Sequence, residues 1–307
     1  MRKRLVKKYT IFIAIPFVLI LLFEITCRVL NVPKIVHFRI EPKLQEQLPQ
    51  IDNNTILFLG DSRIEWGIRP DIVEAAAANK NLKVINMASP GSNGLDILDY
   101  LIANSIYPKL IVMGYTANYG RYTNFNANGV NLSFLNKIFH RFRYIFKSHF
   151  YISDQSLFKY LQKEKIYFKS LEYDDKGGGR IFVNGDFSER LAFQKQLYEY
   201  WRNTYRANNF LNFVANLNSK IDILKDSSMI VGLYMPVSKP IQQLEPLDTV
   251  LSEPAKFDTL YNLKNYTYQI DSIAPDSIYF LDGSHLDYEY SKTFSIDLAG
   301  ILKLDEI

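Results

Sequence analysis

The chain of 307 residues is long enough for one sizeable α/β domain with an insertion, or for two small domains. Its 48% hydrophobic and 22% charged residues are typical of a globular protein and exclude a disordered one. The formal net charge is +4, but five basic residues among the first eight account for the excess. Residues 9–307 therefore carry a net charge of −1, and nucleic acid is not expected as a partner.

The N-terminus has the pattern of an uncleaved signal anchor. The basic residues precede a run without charge from Ile11 to Phe23, and apolar character continues to Leu30. About 20 helical residues cross a hydrocarbon core of ~30 Å, and no small-residue cleavage site follows. We therefore expect residues 1–31 to form a cytoplasmic basic flank and one transmembrane helix, with the remaining domain extracytoplasmic, either periplasmic or at the cell surface. A buried helix of a soluble domain is the alternative, but it leaves the basic flank unexplained.

Residues 32–52 are polar, contain three prolines and are predicted to form a stalk. In the domain that follows, at 53–307, predicted strands and helices alternate. The strands are Thr55–Leu59, Val84–Asn86, Leu110–Met113, Met229–Tyr234 and Ile278–Leu281, and the helices are Pro70–Ala78, Gly94–Ile106, Ser188–Ser219, Lys256–Ile273 and Tyr288–Leu302. This alternation predicts a three-layer α/β/α fold with a mostly parallel sheet, in which ligands bind beyond the carboxyl ends of the strands.

An insertion at about 119–187 interrupts the alternation. Residues 137–170 carry a net charge of +6 and ten aromatic side chains. One interpretation is a cap that contacts an anionic polymer or the membrane surface, with rings that stack on sugars. The other is a helical insertion whose aromatic side chains form a small core of their own. The run of three glycines at 177–179 predicts a flexible joint or a loose surface loop.

Three side chains far apart in the sequence have the chemistry of a nucleophilic site. Ser62 follows the first strand, and Asp282 and His285 lie near the end of the chain, three residues apart. A serine hydroxyl becomes a good nucleophile when an imidazole takes its proton and a carboxylate orients the imidazole. Of the four histidines, only His285 follows a predicted strand and has such a carboxylate. The plainer alternatives are a turn or N-cap role for Ser62 and a helix-capping role for Asp282.

Taken in order, three segments resemble the SGNH (GDSL-type) hydrolase family. They are Gly60-Asp61-Ser62, Asn86-Met87-Ala88-Ser89-Pro90-Gly91 and Asp282-Gly283-Ser284-His285, and the resemblance covers about 54–118 and 229–302. It implies a flavodoxin-like sheet with Ser62 as nucleophile, His285 as general base and acid, and Asp282 as its orienting partner. It also implies an oxyanion hole formed by the backbone N–H groups of Ser62 and Gly91 and by an asparagine side chain.

The block expected to supply that asparagine departs from the family pattern. The family has Gly-x-Asn-Asp directly after the third strand, whereas this chain reads Gly114-Tyr115-Thr116-Ala117-Asn118-Tyr119. Asn118 is the best match, and an exposed loop asparagine is the alternative for it. Asn86 and Asn93 are weaker substitutes. Arg63, next to the nucleophile, is either a ligand for an anionic substrate group or a surface arginine.

The anchor and the resemblance together predict a membrane-anchored serine esterase or O-acyltransferase of the cell envelope. An acyl-serine intermediate would form on an acylated glycan or lipid substrate, and a membrane acyl-donor protein would be a further partner of a transferase. No metal or cofactor is expected, because no cluster of His, Cys and Asp has ligand spacing. The competing hypothesis is a catalytically silent binding or assembly protein with the same fold, which the irregular third block and the large insertion favour.

Overall fold

The structure is a computed structural model that describes residues 2–30, 43, 46–77, 81–116, 142, 146, 150, 168–173, 175–183, 185–204, 207–245, 255–267 and 275–306. The helices are α1 (Arg2–Val29), α2 (Ser62–Gly67), α3 (Pro70–Ala76), α4 (Leu95–Ala103), α5 (Phe187–Thr204), α6 (Ala207–Leu224), α7 (Lys239–Gln242), α8 (Asp276–Tyr279) and α9 (Tyr288–Ile301). The strands are β1 (Thr55–Leu59), β2 (Lys83–Asn86), β3 (Leu110–Gly114), β4 (Phe168–Tyr173), β5 (Gly179–Val183), β6 (Met229–Tyr234) and β7 (Thr259–Asn262). Among these described residues, no helix combines the length and apolar character needed to cross a bilayer.

A five-stranded parallel sheet organises the domain, with the strand order β2-β1-β3-β6-β7. Every residue of β1 and β3 is buried, as expected for continuous apolar strands that are covered on both faces. The chain passes from β1 to β2 on one side and then to β3 on the other. The carboxyl end of β1 therefore lies at the point where the strand order reverses, which is the usual place for a ligand in such sheets.

Alternate side chains of the strands build two cores on opposite faces of the sheet. Leu57 and Ile111 pack into one core, together with residues of α4 and α6. Ile56 and Val112 pack into the other, with residues of α2, α3 and α9. The predicted α/β fold with a mostly parallel sheet between helices is thus observed.

The fifth strand is not where the sequence pattern placed it. Asp276–Tyr279 is a single helical turn, and Phe280 makes one isolated antiparallel bridge with Leu286, so the strand predicted at Ile278–Leu281 is wrong. The fifth strand is β7, which lies inside the predicted helix Lys256–Ile273. Leu260 packs against one core and its neighbour Tyr261 against the other, a period of two that fits a strand.

The helical patterns were closer to the structure. The helices predicted at Pro70–Ala78, Gly94–Ile106 and Tyr288–Leu302 are observed as α3, α4 and α9, each somewhat shorter. The single long helix predicted at Ser188–Ser219 is observed as α5 and α6.

The described end of the insertion is a hairpin and not a helix. Strands β4 and β5 pair antiparallel, and the glycines at 177–179, the last of which begins β5, are buried. The turn packs on the main domain, because the N–H of Asn86 donates to the carbonyl of Lys176 at 2.9 Å. The prediction of a flexible joint or loose surface loop at 177–179 is therefore wrong. Most of the residues that carry the predicted basic and aromatic cap lie outside the described part of the chain.

Part of the predicted stalk packs on the domain. Leu48 and Ile51 belong to one of the two cores, and Lys43 is 1% exposed. The Lys43 Nζ lies 2.8 Å from Glu65 Oε1 on α2 and also donates to the carbonyl of Ala88. Leu48 and Ile51 thus anchor 46–52 in the folded domain. Lys43 also belongs to it, because a buried lysine needs a carboxylate partner and Glu65 supplies one.

We expect Lys43→Met to lower the free energy of unfolding by about 3–5 kcal/mol, since it removes the cation that faces the fully buried Glu65. Equilibrium urea unfolding of the full chain measures the change. The matched control is Lys83→Met, because the pair formed by Lys83 and Asp52 is largely exposed and should be worth less than about 1 kcal/mol. Equal effects of the two substitutions would contradict the assignment of Lys43 to the core.

Candidate active site

The nucleophile candidate lies on the tight connection between β1 and α2. Gly60 has φ +145°, a conformation that favours glycine, and a Cβ there would lie 2.9 Å from Ile64 Cγ1. Asp61 caps the helix by accepting a hydrogen bond from the N–H of Arg63. Ser62 is then the first residue of α2, where the backbone N–H has no intrahelical acceptor.

A second turn lies beside this connection. The N–H of Ser92 donates to the carbonyl of Ser89 at 2.9 Å, and Gly91 in this turn has φ +72° and is exposed. The N–H of Ser89 in turn donates to the carbonyl of Gly60 at 3.0 Å. The turn that contains Gly91, an expected oxyanion donor, is therefore hydrogen-bonded to the connection that leads into Ser62.

Asp282 and His285, the candidate orienting carboxylate and base, share one short loop. The N–H of Leu281 donates to the carbonyl of His285 at 2.8 Å, which closes the loop at its base. The N–H of Ser238, just before α7, donates to the carbonyl of Gly283 and fixes the tip. Hydrogen bonds thus hold the loop at its base and at its tip. The residues before the loop do not form the strand that the sequence predicted.

The three predicted residues meet in hydrogen-bonding contact. Ser62 Oγ lies 2.8 Å from His285 Nε2, and His285 Nδ1 lies 2.8 Å from Asp282 Oδ2. An ionised carboxylate only accepts, so Nδ1 carries the ring proton and Nε2 is free to accept from the serine hydroxyl. The arrangement has the order of nucleophile, base and orienting carboxylate that activates a serine.

The carboxylate of Asp282 is completely buried and receives several hydrogen bonds. The donors are Ser284 N, Ser284 Oγ, His285 N and His285 Nδ1 from its own loop and Gln194 Nε2 from α5, at 2.8–3.0 Å for the best-placed oxygen. A buried charge is tolerated only when it is compensated in this way. The cap of α9 is Asp287, so the alternative role of Asp282 as a helix cap is not observed.

The ring of His285 is supported from the side by Trp66. The two ring centroids are 4.3 Å apart with planes at 46°, and both side chains are nearly buried. Trp66 comes four residues after Ser62 on α2, so the helical spacing alone places the two side chains on one face. The sequence interpretation missed Trp66, although this spacing is a signal for it.

Gln194 was missed for a different reason. Its bond to Asp282 spans 88 residues of sequence, and α5 was predicted only as a helix beyond the insertion. No local pattern around Gln194 distinguishes it from the exposed Gln196 two residues later.

The interpretation of Arg63 as a surface arginine is wrong, because its side chain is 3% exposed. Its charge is paired inside the protein, which disfavours the other interpretation as a ligand for an anionic substrate group. Its Nη2 donates to Glu245 and to the hydroxyl of Tyr198, and Tyr234 donates to the same carboxylate. Burial lowers the pKa of the Arg63 guanidinium, but Glu245 more than offsets this and holds the pKa well above its ordinary value. Burial and Glu245 also raise the pKa of Tyr234, which keeps the phenol neutral.

The sequence offers three asparagines for the third donor of the expected oxyanion hole. Asn118 lies outside the described residues. Asn86 is buried and occupied, since it donates to the carbonyl of Ile64 and accepts from the N–H of Ala88. Asn93 accepts from the N–H of Leu95 at the start of α4. Asn86 is therefore a brace between β2 and α2.

Comparisons of the sequence with models of protein families and with curated proteins found no match.

Replacing Asp282 by Asn should lower the rate at which a fluorophosphonate modifies Ser62 by about 10³–10⁴-fold, because an amide can stabilise the wrong tautomer of His285. The rate is measured on the purified full chain. Asp287→Asn is the matched control, since Asn caps a helix as well as Asp does. Wild-type reactivity in a folded Asp282→Asn protein would show that the carboxylate does not orient the base.

Proposed function

We propose that the protein is a membrane-anchored serine esterase or O-acyltransferase of the SGNH type, acting on an acylated glycan or lipid of the cell envelope. The observation that carries the proposal is the continuous contact from Ser62 through His285 to Asp282. The strand order β2-β1-β3-β6-β7 supports it, because this is the flavodoxin-like order with a ligand site at the end of β1.

The geometry fits acyl transfer through a covalent intermediate. Ser62 Oγ attacks the ester carbonyl while His285 Nε2 takes the hydroxyl proton, and the carbonyl oxygen becomes an oxyanion. The intermediate collapses, the alcohol leaves with the proton from His285, and the acyl group stays on Ser62. Water or a sugar hydroxyl then attacks the acyl carbonyl while His285 takes its proton. His285 returns that proton to Ser62 Oγ as the acyl group leaves, which restores the serine and the neutral base.

The oxyanion needs donors that are already in place. The proposed donors are the first N–H of α2, from Ser62, and the N–H of Gly91, whose turn is hydrogen-bonded to the connection before Ser62. We assign the third donor to Asn118, the best match in this chain to the asparagine that the family resemblance implies. Each such donor contributes about 10²–10³ to the rate, so the Gly91 turn matters as much as the base.

Three aromatic side chains of the insertion support a glycan or lipid substrate. Phe142, Phe146 and Phe150 form a row in which neighbouring ring centroids are 6.2 and 5.2 Å apart. They are 67%, 37% and 42% exposed, which leaves ring faces for the apolar sides of sugars or for acyl chains. The basic residues around them in the sequence favour an anionic polymer or membrane surface.

The proposed anchor is the segment that forms α1. From Ile15 to Leu30 its large apolar side chains are mostly exposed, including Phe17 at 68% and Leu19 at 61%. Five basic residues at the start of the helix favour a cytoplasmic N-terminus by the positive-inside rule. The domain that follows would then lie outside the cytoplasm, where envelope glycans and lipids are found.

Ser62→Ala should abolish acetate release from O-acetylated envelope polysaccharide, with a loss of at least about 10³-fold, because no other group forms the acyl intermediate. The same variant should lose labelling by a fluorophosphonate. Ser219→Ala is the control, since that serine is exposed on α6.

The competing hypothesis of a catalytically silent binding or assembly protein predicts the opposite results. The folded full chain would then resist labelling, and Ser62→Ala would keep its full biological activity. Adding a sugar acceptor to the acetate-release assay separates the two enzymes, because a transferase moves the acetyl group to the acceptor and a hydrolase releases it.

Single-cysteine variants test the proposed orientation of the chain in the membrane. In a Cys27→Ala background, Ser219→Cys should react with an impermeant maleimide in intact spheroplasts, whereas Lys3→Cys should react only after lysis. The native chain has a single cysteine, so the labelling is unambiguous. The reverse pattern, or labelling of both before lysis, would contradict the proposed topology.

A further inference from the structure

Helix α5 carries a stripe of polar side chains that contacts both halves of the candidate site. Arg190, Gln194 and Tyr198 are spaced four residues apart, so they share one face of the helix. Arg190 Nε donates to the carbonyl of Leu281 at 2.7 Å, and Gln194 Nε2 donates to Asp282 Oδ2 at 2.9 Å. Tyr198 accepts from Arg63, the neighbour of the nucleophile.

Gln194 is the member of this stripe that contacts the carboxylate of Asp282. It is 4% exposed, and its Nε2 shares Asp282 Oδ2 with His285 Nδ1. Its Oε1 is buried and makes no hydrogen bond within the described part of the chain. A flipped amide would bring Oε1 against the carboxylate, so the donor must face Asp282. Within the described residues, the buried amide of Gln194 therefore keeps its hydrogen bond to Asp282 although its own Oε1 has no donor.

The chemistry of the pair explains why an amide suits this position. A hydrogen bond to Oδ2 fixes the rotation of the carboxyl group, and this determines the direction in which His285 Nδ1–H points. A lysine or arginine here would neutralise the carboxylate and reduce its stabilisation of the imidazolium. An amide orients the same oxygen without a net charge.

We infer that Gln194 is a positioning residue for the acid and base of the site. It acts through Asp282 on the ring of His285 and does not touch the reacting atoms. The expected effect of Gln194 on the reaction rate rests on the proposed function. Its effect on the position of the His285 ring does not, because it concerns the folded protein alone. Because α5 follows the hairpin β4–β5, the helix also ties the end of the insertion to the acid and base loop.

The test compares Gln194→Met with Gln196→Met in the full chain. Methionine has nearly the length of glutamine but cannot donate, and Gln196 is exposed on the same helix. Proton NMR of histidine-labelled protein follows the downfield Nδ1–H signal of His285, which is assigned by its loss in His285→Ala. Gln194→Met should shift or broaden this signal, and Gln196→Met should leave it unchanged.

The second readout is the rate of phosphonylation of Ser62. Loss of a hydrogen bond to a charged group should lower this rate by about 10- to 100-fold in Gln194→Met and leave it unchanged in Gln196→Met. With an ester substrate, kcat should fall while KM stays constant, because the substrate is not contacted. A purely structural role would instead change the thermal unfolding of Gln194→Met without changing either readout in the folded protein.

If Gln194→Met does not fold, Gln194→Asn replaces it, since the shorter amide keeps the polarity but cannot reach Asp282. An unchanged histidine signal and an unchanged rate in the folded variant would overturn the inference. If the wild-type serine does not react at all, the proposed function fails, and the histidine signal still decides whether Gln194 positions the ring.

Discussion

The buried carboxylate of Asp282 is the group around which the site is arranged. It has no access to water, so its charge has to be balanced by donors from the protein. Those donors come from its own loop, from His285 and from α5. Satisfying one buried charge therefore fixes the imidazole, the loop after α8 and a helix that follows the insertion. The short distance from His285 to Ser62 is a consequence of this arrangement.

Ser62, the candidate nucleophile, is positioned by α2, whose buried charged side chains also require partners. This helix has only six residues, and isolated helices of that length are not stable in water. Two buried ion pairs hold it on either side, with Arg63 bound to Glu245 and Glu65 bound to Lys43. Two tyrosines complete the first pair, and Trp66 packs on His285. Residues for which the sequence suggested a surface or linker position thus hold α2, and with it Ser62, in place.

Local patterns predicted the central sheet well and its edge poorly. The apolar runs of β1, β3 and β6 are short and continuous, which is typical of strands buried on both faces. The edge strand β7 has four half-exposed or exposed residues, so its pattern was too weak to distinguish from a helix. Ser62, His285 and Asp282 were found because each lies in a short motif. Gln194 and Lys43 act through contacts across long stretches of sequence, and no local signal marks them.

The burial of Lys43 has a geometric consequence for the reach of the folded domain. Twelve residues lie between Leu30, at the end of the apolar helix, and Lys43. The thirteen residue-to-residue steps from Leu30 to Lys43 span at most about 45 Å when the chain is fully extended. Lys43 is bound to Glu65, one turn beyond the serine. If the helix is held in a bilayer as proposed, the linker acts as a leash of that length. Acyl groups far out in a thick polymer layer would then be inaccessible, and those close to the lipid headgroups would be favoured.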